Sequence, residues 1–173
     1  MLEDAGRFDE INRDAAAWCD EAVRAETTDS RITCLNRALA IDPNYALALV
    51  YKAAVLREAG RSEEAIACCD RAFSLDPGCF DGFRRELVAS LWRNKALALH
   101  DLWQLDQESA FYDEILKQDL PVNERAEMWG LKGAVRICMR KIQNAVPCFE
   151  EAERLGHPLG TEAIRLCQEH LRE

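Results

Sequence analysis

Apolar side chains recur every three or four residues along most of this chain, the spacing that places them on one face of an α-helix. In the first half, the pattern predicts helices over 8–26, 30–41, 45–59 and 63–75. The last three of these each stop at a glycine or at an aspartate–proline pair, which are helix-ending signals. Asp29 or Ser30 is expected to cap the second helix.

The second half of the chain continues the helical pattern with one longer element. Because the apolar spacing has no break from Asp81 to Leu105, it predicts a single helix over about 81–104. Further helices are predicted over 107–118, 123–139, 142–155 and 161–172. Pro147 is expected to move the start of its helix a few residues later, because proline lacks the backbone N–H. The inward face of the last helix is predicted to be Ile164, Cys167 and Leu171.

The sequence repeats itself at a step of 34 residues. Five residues return unchanged at that step: Cys34, Arg37, Ala38, Asp42 and Pro43 recur as Cys68, Arg71, Ala72, Asp76 and Pro77. A fixed period of this size indicates stacked helix pairs, each of which is too small to bury its own apolar face. The predicted class is therefore an all-α helical array.

Two of the repeated segments resemble tetratricopeptide repeats in their order of large and small residues. The second unit carries Leu49, Ala53, Leu56, Gly60, Ala65, Cys69, Ala72, Leu75 and Pro77; the fourth carries Trp129, Gly133, Ala145, Phe149 and Ala152. The resemblance implies an α-solenoid of antiparallel helix pairs, and the long helix that the apolar spacing predicts over 81–104 becomes the first helix of its third unit. It implies one domain over 1–173, with units of about 12–44, 45–78, 79–122 and 123–158 and a capping helix over 160–172.

The same resemblance implies a concave groove that is lined by the first helix of each unit. The residues it places there are Leu47, Val50, Ala54, Arg57, Arg84, Val88, Leu91, Trp92, Gly130, Ala134 and Ile137. Because this lining is more apolar than polar, the expected ligand is a peptide or helix of a partner protein. The expected role is that of a non-catalytic adaptor, scaffold or chaperone-like holder.

Two alternatives to an open peptide groove remain at this stage. In one, the apolar face pairs with a second copy of the chain, so the protein is a self-assembling subunit. In the other, the groove is filled by the long helix or the last helix, and Val88, Leu91 and Trp92 are core residues. The clamp with which some relatives hold chaperone tails is not expected. Its positions here hold Ala16, Asp20 and Tyr51, and only Arg85 matches.

Charge and composition narrow the possible partners. With 22 basic and 31 acidic residues, the net charge is −9, which argues against nucleic acid as a ligand. No apolar run is long enough to span a membrane. The acidic first residues do not resemble a signal peptide, so a cytoplasmic location without membrane association is expected.

Candidate chemistry is sparse. The eight cysteines lie mostly within helical apolar patterns and are interpreted as reduced core thiols. Cys167 and His170 share a helix face, but they lack the second ligand pair that a zinc site requires. Because no nucleophile, redox or phosphate-loop motif is found, no catalytic residue, metal or cofactor is expected. A thiol-dependent enzyme or a metal protein remains a distant third alternative.

Overall fold

The computed structural model describes residues 2–76 and 84–171, and their side chains over 13–76 and 85–171. Within these ranges the chain forms α-helices joined by short turns, and no strand occurs there. The helices are α1 (Leu2–Arg24), α2 (Thr28–Ile41), α3 (Ala46–Glu58), α4 (Ser62–Phe73), α5 (Arg84–Asp101), α6 (Leu105–Ile115), α7 (Val122–Cys138), α8 (Ile142–Arg154) and α9 (Gly160–His170). The predicted all-α class is confirmed.

Helix α2 begins two residues earlier than the apolar pattern predicted, because Thr27 caps it. The Thr27 hydroxyl accepts a hydrogen bond from the backbone N–H of Ser30 at 3.2 Å, and the Ser30 hydroxyl accepts one from the N–H of Thr27 at 3.3 Å. This reciprocal pair satisfies two of the N–H groups that a helix start leaves unpaired. The prediction of Asp29 or Ser30 as the capping residue is therefore wrong.

The long helix predicted over 81–104 is a single helix in the structure, α5, and ends at Asp101. Its predicted first residues, from Asp81 to Phe83, lie outside the described residues. The predicted effect of Pro147 is wrong, because α8 begins at Ile142 and contains the proline. The N–H groups of Asn144 and Ala145 both bond to the Lys141 carbonyl, so the first turn closes before the proline is reached.

The helices divide into two compact units, Met1–Leu102 and Trp103–Glu173. In the first unit, α2 packs between α1 and α3, and α5 packs against both α3 and α4. Small side chains allow these close approaches: Ala38, Ala53 and Ala65 have no exposed surface. The larger buried residues beside them are leucines such as Leu56.

In the second unit, α7 packs against α6 and α8, and α8 packs against α9. The contact between α7 and α8 depends on Gly133. A Cβ atom at that position would lie 2.7 Å from Cε1 of the Phe149 ring, so any larger residue would force the ring to move. The division into four repeat units within one domain remains a prediction. None of the described helices is both long and apolar enough to cross a membrane.

Candidate functional site

The predicted groove residues of α3 have different exposures. Leu47, Ala54 and Arg57 are half-buried and present part of their side chains at the surface. Val50 is only 3% exposed and packs in a core cluster with Leu49. Its side chain therefore has almost no surface to offer a partner.

The predicted groove residues of α5 lie mostly against the interior of the first unit. Leu91 has no exposed surface and belongs to the same core cluster as Val50, and Val88 packs against that cluster. Trp92 is half-buried. The side chain of Arg84 lies outside the described residues. Leu91 is thus a core residue and offers no surface to a ligand.

On α7, Ala134 and Ile137 are exposed, whereas Gly130 is covered by its own unit. A Cβ atom on Gly130 would lie 3.1 Å from Nε2 of His157, so this imidazole occupies the space in front of the glycine. Of the three predicted residues on this helix, two have side chains that a partner can reach.

A cleft of about 210 Å³ lies between α1, α2 and α3 in the first unit. We call it the N-terminal cleft; it is lined by Ala22, Val23, Arg31, Leu35, Tyr51, Ala54 and Val55. Val23 is 65% exposed, and Nη1 of Arg31 lies 3.4 Å from Oε2 of Glu58. Of these residues, the resemblance had assigned only Ala54 to a groove. The sequence offered one indication that Val23 is exposed: it directly follows Ala22, which lies on the buried face of α1.

A larger cleft of about 580 Å³ lies between the end of α7, the start of α8 and α9 in the second unit. We call it the C-terminal cleft; it is lined by Ile137, Arg140, Ile142, Leu166, Cys167 and His170. Ile137 is the residue here that the resemblance had assigned to a groove. The predicted inward face of α9 needs one correction: Cys167 is buried, but Leu171 is 45% exposed because it follows the end of the helix.

Exposed large apolar side chains are unevenly distributed among the described helices. The odd-numbered helices, which are the first members of the predicted pairs and the terminal helix, carry Val23, Tyr51, Leu97, Val122, Leu131, Ile137 and Leu166. The even-numbered helices carry only Phe73 among their described residues. Among the described residues, the exposed apolar surface of the helices is therefore concentrated on the odd-numbered helices.

The described cysteines are free thiols, and most of them are buried. Burial raises the pKa of Cys19 and of Cys69 to about 12, so at neutral pH both carry their proton and are poor nucleophiles. Cys167 and His170 lie at the same cleft, but no described group of three His, Cys, Asp or Glu side chains is placed to hold a metal ion.

Thiol labelling is expected to distinguish Cys138, which is exposed, from these buried cysteines. With Ellman's reagent and folded protein, Cys138→Ser should lower the rapid amplitude by one thiol per chain. Cys69→Ala should leave that amplitude unchanged, because Cys69 has no exposed surface and a raised pKa. A rapid amplitude that falls with Cys69→Ala would contradict the packing described here.

Residues 34–67 match the family model of the tetratricopeptide repeat. The fold is similar to that of PilF from Pseudomonas aeruginosa, with a TM-score of 0.68 and 20% identity over 94% of this chain and 71% of that one. It is also similar to the MamA RS-1 ArsTM double mutant, with a TM-score of 0.64 and 14% identity over 92% and 95% of the two chains. No curated protein is significantly similar to this sequence. The structural similarity confirms the predicted fold, a helical repeat solenoid.

Proposed function

We propose that this chain, whose residues 34–67 match the family model of the tetratricopeptide repeat, binds a peptide or helix of a partner protein on the apolar surfaces of its odd-numbered helices. The fold is that of protein-interaction modules in general. The chain would act without catalysis, as an adaptor, scaffold or chaperone-like holder.

The uneven distribution of exposed apolar side chains carries the proposal. A helix that is only packed against its neighbours can turn its apolar stripe inward and its polar residues to water. The described even-numbered helices follow this rule almost completely, whereas the odd-numbered helices leave side chains such as Val23, Leu131 and Leu166 more than a third exposed. Apolar surface grouped in this way supports binding of another apolar surface.

The two clefts supply the shape that a peptide needs. In the N-terminal cleft, the exposed Val23 and Tyr51 lie with Ala54 over the buried Leu35, so an apolar side chain has contacts on several sides. Arg31 and Glu58 form an ion pair next to these residues and can bond to the backbone of an extended ligand. Two of the predicted groove residues line these clefts: Ala54 lines the N-terminal cleft, and Ile137 lines the C-terminal cleft.

Matched alanine positions allow a direct test of which helices bind. Short random peptides displayed on phage are selected against the full chain, and the affinity of the best binders is then measured by fluorescence anisotropy. Ala54→Glu on α3 or Ala134→Glu on α7 should weaken the selected peptides at least about tenfold, because a carboxylate would be desolvated beneath the ligand. Ala67→Glu on α4 and Ala110→Glu on α6, both exposed alanines of even-numbered helices, serve as controls and should change the affinity little.

The controls also separate the proposal from its alternatives. Peptides that are weakened by the even-numbered variants and not by the odd-numbered ones would show that binding uses the opposite faces of the pairs. If no peptide binds, and sedimentation shows a dimer that Ala54→Glu or Ala134→Glu dissociates, the protein is a self-assembling subunit. Its partner and its cytoplasmic location remain predictions.

A further inference from the structure

We propose that the C-terminal cleft binds an apolar segment of a partner protein that carries an Asp or Glu side chain, and that Arg140 pairs with this carboxylate. The inference rests on the function proposed above and names the chemistry of one ligand. At about 580 Å³, the cleft falls within the range of about 300–1,000 Å³ that is typical of ligand sites.

The walls of the cleft are suited to apolar side chains. Leu166 and Ile137 are 52% and 41% exposed, and Cys167 at 3% exposure closes the cleft against the core. The same cysteine belongs to the cluster that joins α8 and α9 and contains Phe149, so the floor is part of a packed interior. A ligand that covers Leu166 and Ile137 removes two large apolar side chains from water, which favours binding.

Arg140 stands in a backbone conformation that normally belongs to glycine. At the end of α7, the N–H of Arg140 bonds to the Ile137 carbonyl and the N–H of Lys141 to the Arg136 carbonyl. The ends of α3 and α8 close with the same two bonds, but the corresponding residues there are Gly60 and Gly156. The φ angles are +58° at Arg140, +74° at Gly60 and +88° at Gly156.

An arginine in this left-handed position is unfavourable for folding, because its Cβ crowds the backbone and glycine would avoid the strain. Strained residues of this kind are found preferentially at functional sites. Here the strained residue is also one that lines the cleft. The two observations together point to a role for the Arg140 side chain that glycine could not perform.

The guanidinium of Arg140 has no hydrogen-bond or ion-pair partner within the described part of the chain. The acidic residues on α9 are already used, since Glu162 and Glu169 both pair with Arg165. The neighbouring cation Lys141 is likewise paired, with Asp106 at 3.3 Å. Within the described residues, Arg140 is thus a cation without a carboxylate partner at the edge of an apolar cleft.

These features define the chemistry of the occupant. The guanidinium presents parallel N–H donors that match the two oxygens of a carboxylate, and the pair is strongest where bound apolar groups exclude water. His170, which also lines the cleft, adds a second group able to form hydrogen bonds. In a segment with adjacent aliphatic and acidic side chains, the aliphatic groups pack against the apolar walls and the carboxylate pairs with the guanidinium of Arg140.

The test uses the full chain and the displayed library of short random peptides. Selection on the wild type should enrich peptides in which aliphatic residues lie next to Asp or Glu. Arg140→Gly and Arg140→Asn should weaken these peptides by about 10- to 100-fold, because a charge-assisted pair is lost. The same two variants should leave the melting temperature unchanged or higher, since glycine and asparagine tolerate the left-handed conformation.

Lys141→Gln is the matched control. It also removes one positive charge, at the next residue, but the Lys141 side chain does not line the cleft. It should leave the affinity unchanged. Peptides that bind equally well to Arg140→Gly, or that lack acidic residues, would overturn this inference while the proposed function stands. A library from which nothing binds would overturn both. A dimer of the full chain that Arg140→Gly dissociates would identify a second copy as the occupant and overturn the assignment to a partner protein.

Discussion

Leu91→Ala is expected to lower the free energy of unfolding by about 2–5 kcal/mol, the usual range when a fully buried leucine is truncated. Leu91 has no exposed surface and packs against α3 and α4 residues such as Leu49 and Ala72. Removing its isobutyl group leaves a cavity that the neighbouring helices, held by their own contacts, fill only in part. Chemical denaturation followed by circular dichroism measures the loss as a lower midpoint.

Leu97 provides the control for this prediction on the same helix. It is 41% exposed, so Leu97→Ala should change the free energy of unfolding by no more than about 0.5 kcal/mol. If the two variants had equal and small effects, Leu91 would be a surface residue, as the groove assignment expected. A large effect of Leu91→Ala alone establishes that the inner side of α5 is core in the first unit.

Asp113→Ala is expected to have the second large effect, a loss of about 1.5–3 kcal/mol of folding stability. Nζ of Lys132 bonds to Oδ1 of Asp113, and the lysine side chain is only 8% exposed. The Nζ atom of Lys132 also lies 4.7 Å from the centre of the Trp129 ring. Without Asp113, an ammonium group remains inside the second unit with no opposite charge. Removing one partner of a fully buried ion pair costs about 3–5 kcal/mol of stability. The loss expected here is smaller, because the Asp113 side chain is 47% exposed.

A second substitution tests the cause of that loss. Adding Lys132→Met to Asp113→Ala removes the buried charge and keeps a side chain of similar length, so most of the stability should return. Asp106→Ala is the control on the same helix. Its pair with Lys141 is exposed, and its loss should cost less than about 1 kcal/mol. If the double variant is no more stable than Asp113→Ala, an unpaired ammonium is not the cause.

Much of the fold could be predicted because its signals are local. The continuity of α5 followed from an unbroken apolar spacing, and the helix pairs followed from residues such as Ala38 and Ala72 that return after 34 positions. The start of α2 was missed because aspartate and serine are favoured over threonine as capping residues, so Asp29 and Ser30 were preferred and only the hydrogen bonds identify Thr27. The effect of Pro147 was misjudged because a helix that is well closed on both sides tolerates one missing bond.

The candidate site was predicted less well than the fold. The resemblance identified Ala54 and Ile137, which line the two clefts, but it also included Val50 and Leu91, which are buried. All four lie on first helices and are apolar, so the sequence does not distinguish them. Arg140 was not noticed, since nothing in the sequence sets apart an arginine between two predicted helices; its positive φ angle and its place at the C-terminal cleft are known only from the structure.

The order of residues alone therefore determined that this chain is helical, that five of the residues 34–43 recur 34 positions later, and which family it resembles. These properties depend on spacing within one helix or one repeat, which is written directly in the sequence. The tertiary structure decided which apolar residues are covered, which lysine is buried against an aspartate, and which arginine lines an apolar cleft in a left-handed backbone conformation. Each of these depends on what a different helix places in front of the side chain, and such contacts join residues that are far apart along the chain.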